Sequence, residues 1–241
     1  RRKWRPKVAK NCQPKVPTRP GEVASVDQLV SPAPGLIAQM TGFLTKQRCN
    51  CATVYVDQVS GLGYVYLQKT ASVEETLLGK KAFERCCQTR GVAVRHHHAD
   101  NGIFKASGWV VDCHTKGQGL TLAAVNAHHA NGKAERRIRE LQEMARTALV
   151  HANRRWPQAI AANLWPHAAR HANDCINAAP NMQDPQRRSP EQIFTGANVD
   201  TNIKHWKPFG APVYVCKPGM RNRWKARAKI GVCLGKSAIH N

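Results

Sequence analysis

The sequence is poor in acidic residues and contains no long apolar run. Its 15 Asp and Glu stand against 37 Lys and Arg, and the formal net charge is +22. No stretch approaches the roughly 18 consecutive apolar residues of a membrane-spanning helix, and no apolar signal segment opens the chain. These absences exclude membrane-spanning and secreted classes of protein. We therefore expect a soluble, intracellular protein without a membrane partner.

The sequence also lacks the pattern of a disulfide framework. Its nine cysteines are an odd number in scattered positions, which include the pairs Cys49 with Cys51 and Cys86 with Cys87. Secreted disulfide-rich domains carry even numbers of cysteines in shorter chains. The cysteines therefore indicate a reducing compartment.

Acids are missing above all from the two ends of the chain. Residues 1–21 hold eight Lys and Arg, residues 201–241 hold nine, and neither segment contains an acid. Ends of this kind favour a polyanionic partner, because each neutralised phosphate releases condensed counterions. A solubilising or ribosome-like RNA-binding surface is the alternative. The chain starts at Arg1, as expected for a piece of a longer polypeptide, although processing or an arbitrary boundary explains that equally well.

Three parts are predicted along the chain. Residues 1–21 are rich in Pro, Lys and Arg and lack apolar periodicity, which is typical of an extended basic linker. Residues 22–180 alternate strand-like and helical patterns, so we predict an α/β domain there. Residues 181–241 form a smaller basic extension with two short strand-like runs, APVYVCK and AKIGVCLG.

Hydrophobic periodicity predicts the order β-β-β-α-β-α-β-α in the middle part. The strand-like runs are EVASVDQLV, the hairpin pair CATVYVDQ and GLGYVYLQ, then GVAVRHH and LTLAAV, and the first helix covers residues 72–89. A later helix begins after Asn131, its natural N-cap. A further helix is predicted from about Trp156 to Ala178, opened by Pro157 and kinked or divided at Pro166. Small and apolar residues recur at helical spacing after Asn131, at Ala134, Ile138, Leu141, Ala145 and Leu149.

Three acids in different settings form the candidate site. Asp27 and Asp100 end short apolar runs, and Glu135 lies in the first turn of a helix, where the helix dipole favours its ionised form. Carboxylates on strand ends and at a helix start can meet at one point and hold hard divalent cations for phosphoryl transfer. Two alternatives stay open. Asp57 also ends a strand-like run, and Glu135 can be a surface acid paired with Arg139.

The histidine cluster at residues 96–98 does not predict a transition-metal site. Neighbouring residues of a strand point to opposite faces, so three consecutive rings cannot reach one ion. We expect one or two of them near a nucleic acid, cationic below about pH 6.5. Cys12 is the one cysteine before residue 22, so no zinc site can be assembled there and no zinc is predicted.

Two groups of motifs resemble a known family. DNG at residues 100–102 and NGKAER at residues 131–136 resemble the second and third acidic motifs of the integrase catalytic core of retroviruses and long-terminal-repeat retrotransposons. The 34 residues between Asp100 and Glu135 are close to the spacing typical of that family. SPEQIFTG at 189–196, HWKPFGAPVYV at 205–215 and KARAKIGVCLGKS at 225–237 are similar to the segment that follows the core in copia-type elements.

This resemblance, which covers about residues 22–237, implies a fold, a site and a reaction. The fold would be RNase H-like, with a mixed five-stranded sheet flanked by helices, and it selects Asp27 on the first strand over Asp57. Asp27, Asp100 and Glu135 would bind Mg²⁺, with Mn²⁺ as substitute, for 3′-end processing and strand transfer of DNA. The basic residues beside Glu135 on the helix are the candidates for DNA contacts, with an ordinary solvated helix face as the alternative: Lys133, Arg136, Arg137 and, as the first choice, Arg139.

The resemblance also implies partners and leaves competing functions. Implied partners are element and target DNA, further copies of the chain and other parts of a Gag-Pol-type polyprotein, in the nucleus and in cytoplasmic virus-like particles. A non-catalytic DNA- or chromatin-binding protein derived from an integrase and an RNase H-like nuclease are the alternatives. Two segments depart from the copia-type pattern: residues 31–50 are longer than its first turn, and the approach to Glu135 lacks a Pro-rich lead-in.

Overall fold

The computed structural model describes residues 16–37, 45–123, 131–197, 206–216 and 227–236. Its main body is a five-stranded mixed sheet with helices on both faces, and a separate two-stranded sheet lies near the C-terminus. The predicted α/β class and RNase H-like sheet are thereby confirmed. Most of the basic linker, Cys12 and the histidines at 128 and 129 lie outside the described residues, as do parts of several predicted runs.

The central sheet combines an antiparallel meander with two parallel strands. Strands β1 (Ala24–Leu36), β2 (Arg48–Asp57) and β3 (Gly63–Gln68) form the meander, and the order across the sheet is β3-β2-β1-β4-β5. Strand β4 (His96–Ala99) is parallel to β1, and β5 (Gly119–Leu122) is parallel to β4. Parallel neighbours need crossover connections, which helices α1 (Val73–Gln88) and α2 (Ser107–Thr115) provide.

Two strands differ in length from the predicted runs. Strand β1 continues past Val30, and after a register shift Gly35 and Leu36 pair with the start of β2. Part of the segment that was expected to form a long turn is therefore paired with β2 in the sheet. Strand β4 begins at His96 rather than at Gly91, which has a φ of 73°. Glycine tolerates this left-handed conformation. Gly91 therefore belongs to the turn after α1 and not to a strand.

Two helices cover one face of the meander. Helix α3 (Gly132–Arg155) buries Ala134, Leu141 and Ala145 of the predicted stripe, with Ile138 and Leu149 partly buried beside them. It packs with α4 (Trp165–Ala178) over β1, β2 and β3. The predicted helical stripe is confirmed, and it fixes which side of α3 faces the sheet.

Helix α4 begins nine residues after its predicted start at about Trp156. It begins at Trp165 after a short 3₁₀ turn, and Pro166 lies in its first turn instead of kinking its middle. Proline lacks an N–H group, and the first-turn N–H groups have no intrahelical acceptor, so this is the position where proline costs least. Pro157 therefore lies between helices and opens neither.

The C-terminal region adds a short helix and the two predicted strands. Helix α5 (Pro190–Thr195) begins with a capping box between Ser189 and Gln192. Strands β6 (Pro212–Cys216) and β7 (Ala228–Val232) pair antiparallel, and Val232 packs against the core under α3 and α4. Among the described residues, no helix combines the length and the apolar character needed to cross a membrane.

Candidate active site at the strand ends

The register of two parallel strands brings Asp27 and Asp100 together. Val26 of β1 pairs with Ala99 of β4, and this is the last pair of that ladder. The residues that follow it are Asp27 and Asp100. Because adjacent parallel strands keep the same facing residues in step, Asp27, which lies inside β1, and Asp100, which follows β4, lie side by side at the edge where the β1–β4 ladder ends.

The amide of Asn131 ties the start of α3 to this edge. Its Nδ2 donates to the Val26 carbonyl oxygen over 2.9 Å, and the side chain is buried. Glu135 follows one helical turn later, so the bond brings a third acid toward Asp27. Asn131 occupies the predicted N-cap position, but its side chain makes no capping hydrogen bond. The predicted N-cap position is therefore confirmed, and the amide is used to anchor the helix to the sheet.

Two basic side chains hold the same end of α3 against the turn between β2 and β3. Lys133 Nζ donates to the Gln58 carbonyl oxygen over 2.6 Å, and Arg137 Nη2 donates to the Gly61 carbonyl oxygen over 2.6 Å. The turn also approaches closely at Gly63, where an added Cβ would lie 2.5 Å from Arg137 Nη1. Only glycine fits there without displacing the guanidinium.

The pKa of Asp27 is affected by the charges of the other two acids. Burial is the main cause that raises it from 3.8 to about 6, and the charges of Asp100 and Glu135 raise it further. The backbone N–H of Gln28, which donates to Asp27 Oδ1 over 2.7 Å, acts in the opposite direction. Like charges disfavour ionisation at short range, so the acids lie close enough to interact.

The carboxylates of Asp27 and Asp100 each accept a hydrogen bond from a backbone N–H group. Asp100 Oδ1 accepts the N–H of Asn101 over 2.7 Å, as Asp27 accepts that of Gln28. In the described ranges, no group of three or more His, Cys, Asp or Glu side chains is arranged to hold a metal ion. Among the described residues, the backbone therefore brings Asp27 and Asp100 next to each other without arranging the acids as a metal-binding group.

The alternative acid, Asp57, has a different environment. It is buried, and its carboxylate accepts hydrogen bonds from the Gly21 N–H, the Ser60 N–H and the Ser60 hydroxyl at 2.7–2.8 Å. Its oxygens organise the turn after β2. The ion pairs among the described residues include none between Glu135 and Arg139, so the second alternative is not observed either.

The basic residues expected to contact DNA separate into two groups. Lys133, Arg136 and Arg139 are exposed, whereas Arg137 is buried with its guanidinium on Gly61. Successive residues of a helix point in directions about 100° apart. Four basic residues within two turns therefore cannot all face the same ligand. The structure therefore assigns Arg137 to packing, and sequence inspection missed this because the burial depends on the distant β2–β3 turn.

The histidine cluster follows the alternation expected of a strand. His96 Nε2 and His98 Nδ1 lie 2.9 and 2.8 Å from the same Thr121 hydroxyl on β5, whereas His97 is buried on the opposite face against Trp109. The rings of His96 and His98 thus share with Asp100 one face of the sheet.

The raised pKa of Asp27 predicts that neutralising this residue stabilises the fold. A folded-state pKa of about 6 exceeds the ordinary 3.8, so Asp27 favours folding fully below pH 3.8 and loses that contribution as the pH rises through 6. At pH 7, Asp27→Asn should raise the free energy of unfolding by about 1 kcal/mol after solvent screening. This corresponds to roughly 2–4 °C in a thermal melt.

Asp184 provides a control of opposite sign. Hydrogen bonds from Arg188 lower its pKa to about 2, so Asp184→Asn should not raise the melting temperature at pH 7. The gain for Asp27→Asn should disappear at pH 3.5. An equal gain at both pH values would contradict the electrostatic explanation.

Comparison with known proteins gives matches at the level of structure. No family model matches the sequence, and no curated protein matches it. The catalytic core domain of BIV integrase is 16% identical, covering 73% of this chain and 95% of that chain, with a TM-score of 0.50. The simian T-cell lymphotropic virus intasome, solved in complex with the PP2A regulatory subunit B56 gamma, is 17% identical, covering 91% of this chain and 74% of that chain, also at 0.50.

A third match is the HTLV-2 integrase catalytic core domain, solved in complex with magnesium. It is 19% identical and covers 73% of this chain and 97% of that chain, with a TM-score of 0.49. Identities below one fifth establish the fold and leave the activity open. The five-stranded sheet and its flanking helices have the α/β fold of a retroviral integrase catalytic core.

Proposed function

We propose that this chain is a DNA integrase, a metal-dependent polynucleotidyl transferase that processes DNA 3′ ends and joins them to target DNA. The observation that carries the proposal is that, in an integrase-core fold, the β1–β4 register places Asp27 beside Asp100 and the Asn131 amide ties the start of the Glu135 helix to β1. The acidic motifs and the segments after the core support a copia-type retrotransposon origin, and with it a polyprotein context.

The donor set fits a hard divalent cation. All three side chains offer carboxylate oxygens, which are the ligands that Mg²⁺ takes and Mn²⁺ accepts. Asp27, Asp100 and Glu135 would hold the ions, which when bound supply charge neutralisation and activation of the attacking oxygen in an in-line displacement. The chain itself contributes position, since the Asn131 amide and the Lys133 ammonium keep the Glu135 turn against β1 and the β2–β3 turn.

Exposed basic residues on α3 support DNA as the substrate. Arg136 and Arg139 flank Glu135 on the helix and are exposed, and Lys133 is exposed although its Nζ binds the Gln58 carbonyl oxygen. Each phosphate contact of this kind adds affinity that falls with salt concentration. The same proposal includes further copies of the chain as a partner. It also places the protein's action in the nucleus and in cytoplasmic virus-like particles.

A strand-transfer assay tests the proposal. The 241-residue chain is incubated with labelled DNA that carries the element's terminal sequence, target plasmid and Mg²⁺ or Mn²⁺. We expect metal-dependent joining of 3′ ends to the target. Binding of DNA without any metal-dependent chemistry would contradict the proposal and indicate a binding protein. Cleavage without joining would indicate a nuclease.

Loss of the Asn131 anchor should weaken metal affinity. With Asn131→Ala the start of α3 is no longer tied to Val26, so Glu135 is held less firmly beside Asp27. Groups that orient metal ligands typically change metal affinity about 10–100-fold. We expect a shift of that size in Mn²⁺ binding by calorimetry and in the Mn²⁺ concentration for half-maximal joining.

Asn153→Ala is the matched control for that substitution. Asn153 Nδ2 donates to the Ile160 carbonyl oxygen over 2.6 Å at the other end of the same helix. It should lower thermal stability to a similar degree without changing Mn²⁺ affinity. Equal Mn²⁺ affinity of Asn131→Ala and the wild-type protein would show that the anchor has a structural role only.

A further inference from the structure

The outer half of α3 presents a ridge with a hollow on each side. Arg146, Val150 and Arg154 stand four residues apart and are exposed, Val150 by 49%. On the side of β1 lies an apolar groove of about 580 Å³, and on the other side lies a hollow of about 510 Å³ that the same three residues help to line. A ridge of i, i+4 residues between two hollows is the surface that a second helix packs against.

The walls of the apolar groove are hydrophobic. They come from β1, α3, the segment before α4 and α4 itself, with Ser31, Gln142 and Asn153 as uncharged polar members, and Val30 among them is 66% exposed. Among the described residues that line the groove there is no Asp or Glu, and the charged members are Arg146 and Arg154. Apolar side chains of a partner would enter the groove, and acidic side chains would meet the two arginines.

We infer that this ridge and groove bind an amphipathic helix with acidic flanks from another protein. Helix-in-groove recognition uses apolar anchors at helical spacing, and opposite charges at the rim set orientation and partner choice. The ridge lies about 16 Å along the helix from Glu135 at 1.5 Å per residue, so the surface is separate from the acidic site and does not depend on its chemistry.

Charge decides between this occupant and two others. The whole chain carries +22, and a second copy packed across the same ridge would set arginines of the two copies against each other. A DNA duplex would satisfy the arginines, but its phosphates and sugars would leave the apolar walls of the groove uncovered. An acidic amphipathic helix satisfies both the apolar walls and the arginines.

A pair of synthetic peptides tests the inference by fluorescence polarisation with the full chain. One labelled helical peptide carries leucines at i, i+3, i+4 and i+7 with glutamates at its flanks, and the other has lysines in place of the glutamates. We expect the acidic peptide to bind at least about tenfold more tightly. Val150→Asp should weaken it by a similar factor, and the double variant Arg146→Glu/Arg154→Glu should reverse the preference.

Arg85→Glu is the matched control, because Arg85 is exposed on α1, which packs on the opposite face of the sheet. It should leave both peptide affinities unchanged. Equal binding of the two peptides, or an acidic preference that survives in the double variant, would overturn the inference. Two further results would also overturn it. One is a dimer of the chain in sedimentation that Val150→Asp dissociates. The other is a DNA duplex that competes with the acidic peptide and whose affinity falls in the double variant as much as that of the peptide.

Discussion

Glu135→Gln should abolish strand transfer while leaving DNA binding intact. Glutamine has nearly the same shape as glutamate but no charge, so it cannot supply the anionic oxygen that a divalent cation requires. Loss of such a ligand removes several kcal/mol of transition-state stabilisation, and each 1.36 kcal/mol is a factor of ten in rate. We therefore expect joining to fall at least about a thousandfold in the assay with Mg²⁺. DNA affinity should be unchanged or slightly higher, because the site becomes less negative.

Glu143→Gln is the matched control for this substitution. Glu143 is an exposed acid eight residues further along the same helix, so the change alters charge equally without touching the acidic site. Its joining rate should equal that of the wild-type protein. Joining that persists in Glu135→Gln would remove Glu135 from the proposed site, and an equal loss in both variants would indicate a general effect of helix charge.

Lys80→Ala should destabilise the fold more than any surface substitution. Lys80 is fully buried, and its Nζ contacts Glu84 Oε1 at 2.6 Å, Asp112 Oδ2 at 2.7 Å and Gln118 Oε1 at 2.6 Å. Removing one partner of a buried ion pair leaves the other charge without compensation, at a cost of about 3–5 kcal/mol. Lys116, which also contacts Glu84 and Asp112, is more exposed and replaces Lys80 in part. Thermal melts should shift downward by roughly 10 °C.

The neighbouring Lys81 separates burial from charge. Lys81 is exposed, so Lys81→Ala removes the same charge from α1 and should change stability by less than about 0.5 kcal/mol. Lys80→Met, which keeps the aliphatic stem, should be less damaging than Lys80→Ala. Equal melting temperatures for Lys80→Ala and Lys81→Ala would contradict the buried network.

The same network makes this effect depend on pH. Although burial alone raises the pKa of Glu84, the neighbouring His97 ring, 3.5 Å away, and hydrogen bonds from Lys116, Lys80 and Gln118 lower it well below its ordinary value. Glu84 therefore stabilises the fold above pH 4.5, and this contribution is lost as the pH falls. The difference between wild-type and Lys80→Ala proteins should be largest near pH 7 and shrink in acid. A difference that grows in acid would contradict this assignment.

The three candidate acids could be proposed from the sequence because their signals are local. Asp27 and Asp100 end apolar runs, and Glu135 follows a helix start, so each acid is placed by the period of its own element. The choice between Asp27 and Asp57 needed more. Both acids end strand-like runs in the sequence. In the structure, the carboxylate of Asp57 accepts hydrogen bonds from Gly21 and from Ser60 in the β2–β3 turn, which distinguishes it from Asp27.

Sequence by itself determined the alternation of strands and helices and the core stripe of α3, and it supplied the three acids as candidates, since periodicity and motif spacing are properties of neighbouring residues. Tertiary structure decided the roles of side chains whose partners are far away in the chain. Asn131 is the N-cap of α3, but its amide bonds to β1, and Arg137 turns inward to Gly61 although it resembles its exposed neighbours. Buried polar groups must find hydrogen-bond partners wherever the fold supplies them, and no local pattern records where those partners lie.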